Sequence, residues 1–172
     1  MDGAMMTETS FTPDAAHQRA FRDALGRFAT GVTVVTTRTD HGPLGITANS
    51  FAALSLDPAL VMWAPGKFSR RFGAFAEAPC FAIHVLAEDQ LALAEHFAAN
   101  GSDFDLPDLV ESADGVPLLA NCLARFECQR HAVYPGGDHA IVVGQVTQVS
   151  TRDGAGLSFF AGQYGRIDAG LR

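Results

Sequence analysis

From Pro13 onward the apolar positions recur at helical spacing. Phe21, Leu25 and Phe28 stand at i, i+4 and i+7 with Ala20 and Ala24 beside them, and Arg19, Arg22, Asp23 and Arg27 occupy the other side. Thr12-Pro13 offers an N-cap followed by proline at the first helical position. After Gly31 the residues turn β-branched from Val32 to Thr37, and the cluster Asp40-His41-Gly42-Pro43 predicts a turn into a hairpin strand over 44–51. A strand over 60–63 follows Asp57-Pro58, then a short helix over 68–75 and a strand over 80–86. The segment 88–100 reads as a second helix with Leu91, Ala94, Phe97 and Ala98 inward and Gly101 as its stop.

Residues 101–121, rich in Asp, Gly and Pro, read as a long surface connection. Two long strands, 123–134 and 139–150, flank Pro135-Gly136-Gly137-Asp138. The second begins apolar on both faces, as a strand covered on both sides does. A short strand over 157–160 precedes a Gly-rich tail. Strands without a strand–helix–strand rhythm predict a mainly β chain, an antiparallel barrel with peripheral helices, and no doubly wound sheet. Residues 1–12 read as a frayed tail and 13–172 as a single domain.

Composition narrows the function classes. The 19 acidic and 12 basic side chains leave a net charge of −7, which disfavours nucleic acid as a partner. Of the 12 cations only Lys67 is a lysine, and it stands beside Arg70 and Arg71. The longest apolar run, Ala59 to Ala64, is six residues, far below the ~20 that span a bilayer, so no membrane partner is expected. Met1 to Pro13 lacks the basic start and apolar stretch of a signal peptide, and three cysteines without CxxC spacing suit a reducing cytoplasm. The six histidines show no metal-ligand spacing, so no metal is expected.

Three stretches carry candidate chemistry. Ala64-Pro65-Gly66-Lys67-Phe68-Ser69-Arg70-Arg71 inverts the charge locally, and a turn with a hydroxyl and paired arginines is suited to a phosphate; a solvated basic turn is the competing reading. Gly45-Ile46-Thr47-Ala48-Asn49-Ser50 places Thr47 and Asn49 on one side of a strand, where they can meet a planar heterocycle with paired polar edges. A hydroxyl-rich edge strand is the alternative. Gly136-Gly137-Asp138-His139 puts a histidine at a strand start, able to donate to a ligand or to serve the fold alone. No Walker loop, nucleophile elbow or Gly-x-Gly-x-x-Gly is present.

Taken in order, these stretches resemble a known family. Phe21-Arg22 through Leu25-Gly26, Phe28 and Thr30-Gly31 into Val32-Thr33-Val34-Val35-Thr36-Thr37 is similar to the opening of the short-chain flavin reductases, the reductase components of two-component monooxygenases. So are Gly45 to Phe51 with Ser55-Leu56-Asp57-Pro58, Gly137-Asp138-His139 running into Gly144-Gln145-Val146, and Phe159-Phe160-Ala161-Gly162-Gln163-Tyr164. The resemblance implies an FMN-binding split β-barrel with Greek-key-like connections. It also implies a homodimer that binds FMN or FAD, reduces it with NADH or NADPH and passes it to a separate monooxygenase. By that resemblance Pro43, Leu44, Gly45, Ile46, Thr47, Asn49 and Ser50 would line the flavin ring and ribityl chain. Ala64, Pro65, Gly66, Lys67, Ser69, Arg70 and Arg71 would take its phosphate, and His96-Phe97 would touch the flavin. His139 would be the catalytic-site histidine, positioning the nicotinamide nucleotide without transferring a proton, and Gly162, Gln163 and Tyr164 would meet the same nucleotide. His84 departs from the family's usual Asn and is assigned no role. Two other functions suit the same fold: a flavoprotein that keeps its flavin for its own substrate, and a non-catalytic flavin- or haem-binding module.

Overall fold

The β-branched run after Gly31 is buried throughout because it finds apolar neighbours on both faces. The computed structural model describes residues 8–168 and Gly170; most of the tail expected over 1–12 therefore lies outside the described residues, and 8–13 form no helix or strand. In chain order the elements are α1 (Gln18–Leu25), β1 (Thr30–Gly31), β2 (Thr33–Thr39), β3 (Gly42–Ala48), β4 (Ala52–Leu56), β5 (Ala59–Trp63), α2 (Phe72–Glu77) and β6 (Cys80–Val85). There follow α3 (Leu91–Ala99), β7 (Val110–Glu111), β8 (Pro117–Leu118), β9 (Ala124–Gly136), β10 (His139–Thr151), β11 (Gly156–Phe160) and β12 (Gln163–Ile167). Seven strands make one antiparallel sheet in the order β3-β2-β6-β9-β10-β5-β4, β1-β11-β12 a smaller one, and β7-β8 a two-stranded ribbon.

One face of the large sheet gathers Val35, Ile83, Phe81, Cys128, Val142, Val61 and Trp63 into a single buried cluster, with Leu44 and Ile46 packed against it. Strands from β3 to β5 share that cluster only because the sheet coils around it, which is the mainly β barrel architecture expected from the sequence. Val34, the next residue along β2, points the other way and joins Leu86, Ala94, Phe97, Leu119 and Leu157 in a second cluster beneath α3. Val142 and Val143 are likewise buried on opposite faces of β10.

Several local expectations need correction. α1 starts at Gln18, not Pro13, because Asp14 takes the N–H groups of Ala16 and His17 and holds a turn there. Its apolar stripe faces outward: Phe21, Leu25 and Phe28 are 45%, 59% and 79% exposed and no α1 residue is buried. The helix expected over 68–75 is α2, preceded by turns through Ser69. On α3 Ala94 and Phe97 are buried, but Leu93 replaces Leu91 and Ala98, which are exposed. β4 and β12 were not expected, since Ala-Ala-Leu-Ser-Leu and a Gly-rich tail lack β-branched runs. The connection 101–121 is no free surface loop. Val116, Pro117, Leu118 and Leu119 are buried, and Thr36 Oγ1 donates to the Pro117 carbonyl at 2.6 Å.

Candidate functional site

β3 is an edge of the large sheet, so every second residue turns its backbone N–H and C=O away from β2. Gly45 is one of these: its N–H donates to the Gly101 carbonyl at 2.7 Å and its carbonyl accepts from Arg71 Nη1 at 3.0 Å. By alternation Thr47 also presents its backbone outward, one step further along the edge. A Cβ on Gly45 would lie 2.4 Å from the Phe97 ring, and one on Gly101 would lie 2.4 Å from the Gly45 carbonyl. Gly101 follows an extended Asn100, so it serves close approach to β3 and not a left-handed helix stop. The Thr47 hydroxyl donates to the Ala94 carbonyl at 2.6 Å, fastening α3 across the strand. Leu44 and Ile46 point into the barrel core, while Pro43 lies further back at the hairpin, paired with Arg38. Ser50 leaves the strand and exchanges hydrogen bonds with Ala64, whose N–H it accepts at 2.9 Å.

That contact delivers the chain to the basic turn. Pro65 accepts from the N–H of Ala140, Lys67 N–H donates to the Asp138 carbonyl at 2.8 Å, and Lys67 Nζ donates to the Gly137 carbonyl at 2.6 Å. The phosphate turn and the Gly137-Asp138-His139 turn are therefore one structure. His139 Nδ1 lies 2.8 Å from Asp138 Oδ1, which can only accept, so Nδ1 carries the proton and Nε2 is free beside Gly66. The same bond, and then the charge on His139, hold the Asp138 carboxyl below its usual range.

Arg71 behaves differently from its neighbours. Its Nη1 donates to Gly45 O at 3.0 Å and Phe97 O at 2.6 Å, and Nη2 donates to Ala98 O at 3.0 Å. These carbonyls belong to β3 and to the last turn of α3, where helix carbonyls lack internal partners and a cation is favoured. Burial, and then Arg70, lower its pKa from the ordinary value. Arg70 and Lys67 remain exposed, with Ser69 half-buried between them. His96 Nε2 donates to the Asp103 carbonyl at 2.8 Å, and its ring meets Phe97 edge-on at 4.9 Å.

Two clefts open at the other end of β3. The smaller, about 200 Å³, is lined by Val32, Thr47, Ala48, Asn49, Ala98, Phe159 and Tyr164, the last two in an edge-on pair at 5.2 Å. The larger, about 500 Å³, shares Asn49 and Phe159 and continues past Gly162 to the end of α1. The structure thus brings Thr47 and Asn49 together with Gly162 and Tyr164, while Gln163 is an exposed strand residue paired with Phe160. It does not place His139 or Lys67 in either cleft lining.

Some contributors were not found from sequence. Arg22, Arg27, Thr30 and Phe159 line a cleft; Arg22, Thr30 and Phe159 stand in the two terminal motifs, and Arg27 shows in the sequence only as part of the charged side of the first helix. His84, left without a role, is fully buried: Nδ1 donates to Val34 O at 3.0 Å and Nε2 accepts the Leu119 N–H at 3.1 Å. Desolvation first, and the Arg125 charge last, lower its pKa to about 3 against the opposing Val34 bond, so it is neutral and joins the 101–121 connection to the barrel. Arg166, the tail's nearest cation, is paired with Glu88 at 2.8 Å and Asp168 at 3.3 Å. Among the described residues no His, Cys, Asp and Glu cluster suits a metal.

The comparisons with known proteins agree on one class. A flavin reductase like domain matches residues 25–168. The chain is 51% identical over 163 residues to the FMN reductase (NADH) SmoA of Agrobacterium fabrum, covering 95% of this chain and 94% of that protein. It is 40% identical over 169 residues to HsaB of Rhodococcus jostii, the reductase subunit of a flavin-dependent monooxygenase, covering 97% and 84%. The solved NADH:FAD oxidoreductase SgcE6 of Streptomyces globisporus superposes with a TM-score of 0.88 at 35% identity, over 96% of this chain and all of that one. The same protein solved with NAD and FAD fragments gives 0.86 at 36% identity over 95% and 100%.

Proposed function

On the premise that the chain belongs to the flavin reductase-like family, we propose that the outward edge of β3 and the aromatic tail hairpin together hold the flavin and its reductant. The chain is an oxidoreductase that reduces FMN or FAD with NAD(P)H and supplies reduced flavin to a partner monooxygenase. Its fold is the mainly β split barrel of the flavin reductases.

The residues fit a flavin. The observation that carries this reading is the Thr47 end of edge strand β3, beyond the engaged Gly45, in a cleft with Asn49, Ala98 and the Phe159–Tyr164 pair. A flat heterocycle with alternating donors and acceptors is matched by such an edge. Asn49 is exposed, and no hydrogen bond to its side chain occurs among the described residues, so both halves of its amide stay available. Lys67, Ser69 and Arg70, with the backbone of Ala64, Pro65 and Gly66, would meet the phosphate. Arg71 and Phe97 would shape the groove between β3 and α3. His96 would stand at its rim.

Gly162, Gln163, Tyr164 and the free Nε2 of His139 would meet the nicotinamide nucleotide. A hydride passes from nicotinamide C4 to flavin N5 when both are bound, and the cofactors supply those electronics. The chain's part is to hold two rings at near contact and to keep donors toward the ring edge that gains charge. That role needs no protein acid or base. NADH is the proposed reductant, since it is the one named for both SmoA and SgcE6.

A homodimer is part of the proposal, supported by apolar surface that this chain leaves uncovered. Phe21 on α1 and Leu54 and Leu56 on edge strand β4 are 45%, 51% and 98% exposed. A single domain over 13–172 and a cytoplasmic location are also proposed. The latter rests on three free cysteines, and no helix among the described residues is long and apolar enough to cross a membrane. The test is NADH oxidation with and without added FMN or FAD. Turnover that requires added flavin is expected, whereas turnover on another organic substrate without added flavin would favour a flavin-retaining enzyme.

A further inference from the structure

The larger cleft holds three polar side chains that no other described residue engages. Arg22, in the last turn of α1, and Arg27, just beyond it, line this cleft, and among the described residues neither has a carboxylate within 4.0 Å. Thr30 Oγ1, in the same wall, is buried without a hydrogen-bond partner. A buried hydroxyl without a partner is uncommon in a folded protein, and a ligand or a water normally satisfies it. In a chain of net charge −7, two arginines without a carboxylate partner among the described residues, beside such a hydroxyl, are a local exception. Among the described residues the one acid in the lining is Asp23, which lies 4.0 Å from Arg19 and not within that distance of Arg22 or Arg27.

The cleft is built, not incidental. Ala161 N–H donates to the Gly26 carbonyl at 2.8 Å, fixing the β11–β12 turn to the end of α1. That turn runs through left-handed backbone at Ala161 (φ 50°) and Gly162 (φ 80°), which brings it back under the helix end. Its volume of about 500 Å³ lies within the range of small-molecule sites. It joins the smaller ring-sized cleft through Asn49 and Phe159. A ligand with its ring against Tyr164 would therefore extend its remaining atoms toward Arg22 and Arg27.

We propose that this cleft is an anion subsite for the diphosphate of the nicotinamide dinucleotide, with Arg22 and Arg27 as its cations and Thr30 as a hydroxyl partner. It is separate from the Lys67 turn, which lines neither cleft, so the flavin phosphate and the dinucleotide diphosphate have different cations. The proposal rests on the reading that Gly162 to Tyr164 meet the nicotinamide end.

The experiment compares two hydride donors in the full-length protein with FMN: NADH, and a phosphate-free 1-benzyl-1,4-dihydronicotinamide. Arg22→Ala/Arg27→Ala is expected to raise the KM for NADH about tenfold or more, as loss of two charge-assisted contacts implies, and to change the KM for the benzyl donor less than twofold. Arg22→Lys/Arg27→Lys, which keeps the charge, should recover most of the loss, and its recovery separates binding from misfolding. Rising salt should weaken NADH use by the wild type more than by the double alanine variant. An unchanged KM for NADH, or an equal rise for both donors, would overturn the proposal. So would a changed sedimentation coefficient at unchanged KM, which would make the cleft a subunit contact. Failure of the underlying reading has a different signature: Tyr164→Ala would then leave both donors unaffected, removing the ring from this cleft and the proposal with it. Failure of the arginine assignment alone would keep the Tyr164→Ala defect and abolish only the difference between donors.

Discussion

Two places in this molecule gather cations, the turn after β5 and the end of α1, and they differ in what those cations are doing. In the turn after β5, Lys67 is already bonded to the Gly137 carbonyl and Arg71 to three carbonyls, so much of the positive charge there is structural. At the end of α1, Arg22 and Arg27 face a cleft with no carboxylate partner among the described residues. The difference teaches that a cation's value to a ligand depends on which carbonyls the fold has left for it. A run of basic residues does not contain that information.

The largest expected effect is on the engaged side. Arg71→Ala removes three hydrogen bonds and strands the Gly45, Phe97 and Ala98 carbonyls. The expected loss is about 2–4 kcal/mol of unfolding free energy, at the usual strength of hydrogen bonds to charged groups. Denaturant unfolding checks it. A variant as stable as the wild type would mean that Arg71 is free, and the contrast between the regions would collapse.

A second effect concerns the connection that the sequence read as a surface loop. His84 is neutral in the folded state with a pKa of about 3 against an ordinary 6.5, so below pH 6.5 the unfolded chain binds a proton that the folded chain does not. Stability is therefore full above pH 6.5 and falls as the pH drops from there toward 3. The expected loss is about 1 kcal/mol between pH 6.5 and 5.5, approaching ~1.4 kcal/mol for each further unit. His84→Asn should flatten this dependence in unfolding titrations between pH 7 and 4.5. An identical slope in both proteins would show that the ring does not carry it.

The architecture was readable because it rests on local pattern. The β-branched run of β2, the apolar start of β10 and the turn residues between them fix the barrel strands with no knowledge of partners. The site was only partly readable. Thr47 and Asn49 were placed on one side of a strand, but the outward backbone of β3 depends on its being an edge, which is a property of the whole sheet. The stripe Phe21, Leu25, Phe28 is legible as one side of a helix, but its exposure is not, because amphipathicity gives a face and not the thing that covers it. His84 was silent since a buried neutral histidine is recognisable only from the two backbone groups it joins.

The smallest effect separates the two ligands at the turn that Lys67 shares with His139. His139→Ala, which removes a free Nε2 from an exposed ring, should raise the KM for NADH about three- to tenfold, the cost of one hydrogen bond. The KM for FMN should change less than twofold. Equal rises would move His139 from the nicotinamide side to the flavin phosphate.

The claim that cations are divided into engaged and free is tested most directly by comparing FMN with riboflavin, which lacks the phosphate, in Arg70→Ala and Arg71→Ala. The account predicts that Arg70→Ala raises the KM for FMN several-fold and leaves that for riboflavin unchanged, as a phosphate contact must. It predicts that Arg71→Ala raises both by the same factor, because the groove itself is disturbed. A rise for FMN alone in Arg71→Ala would make Arg71 a phosphate ligand and contradict the account.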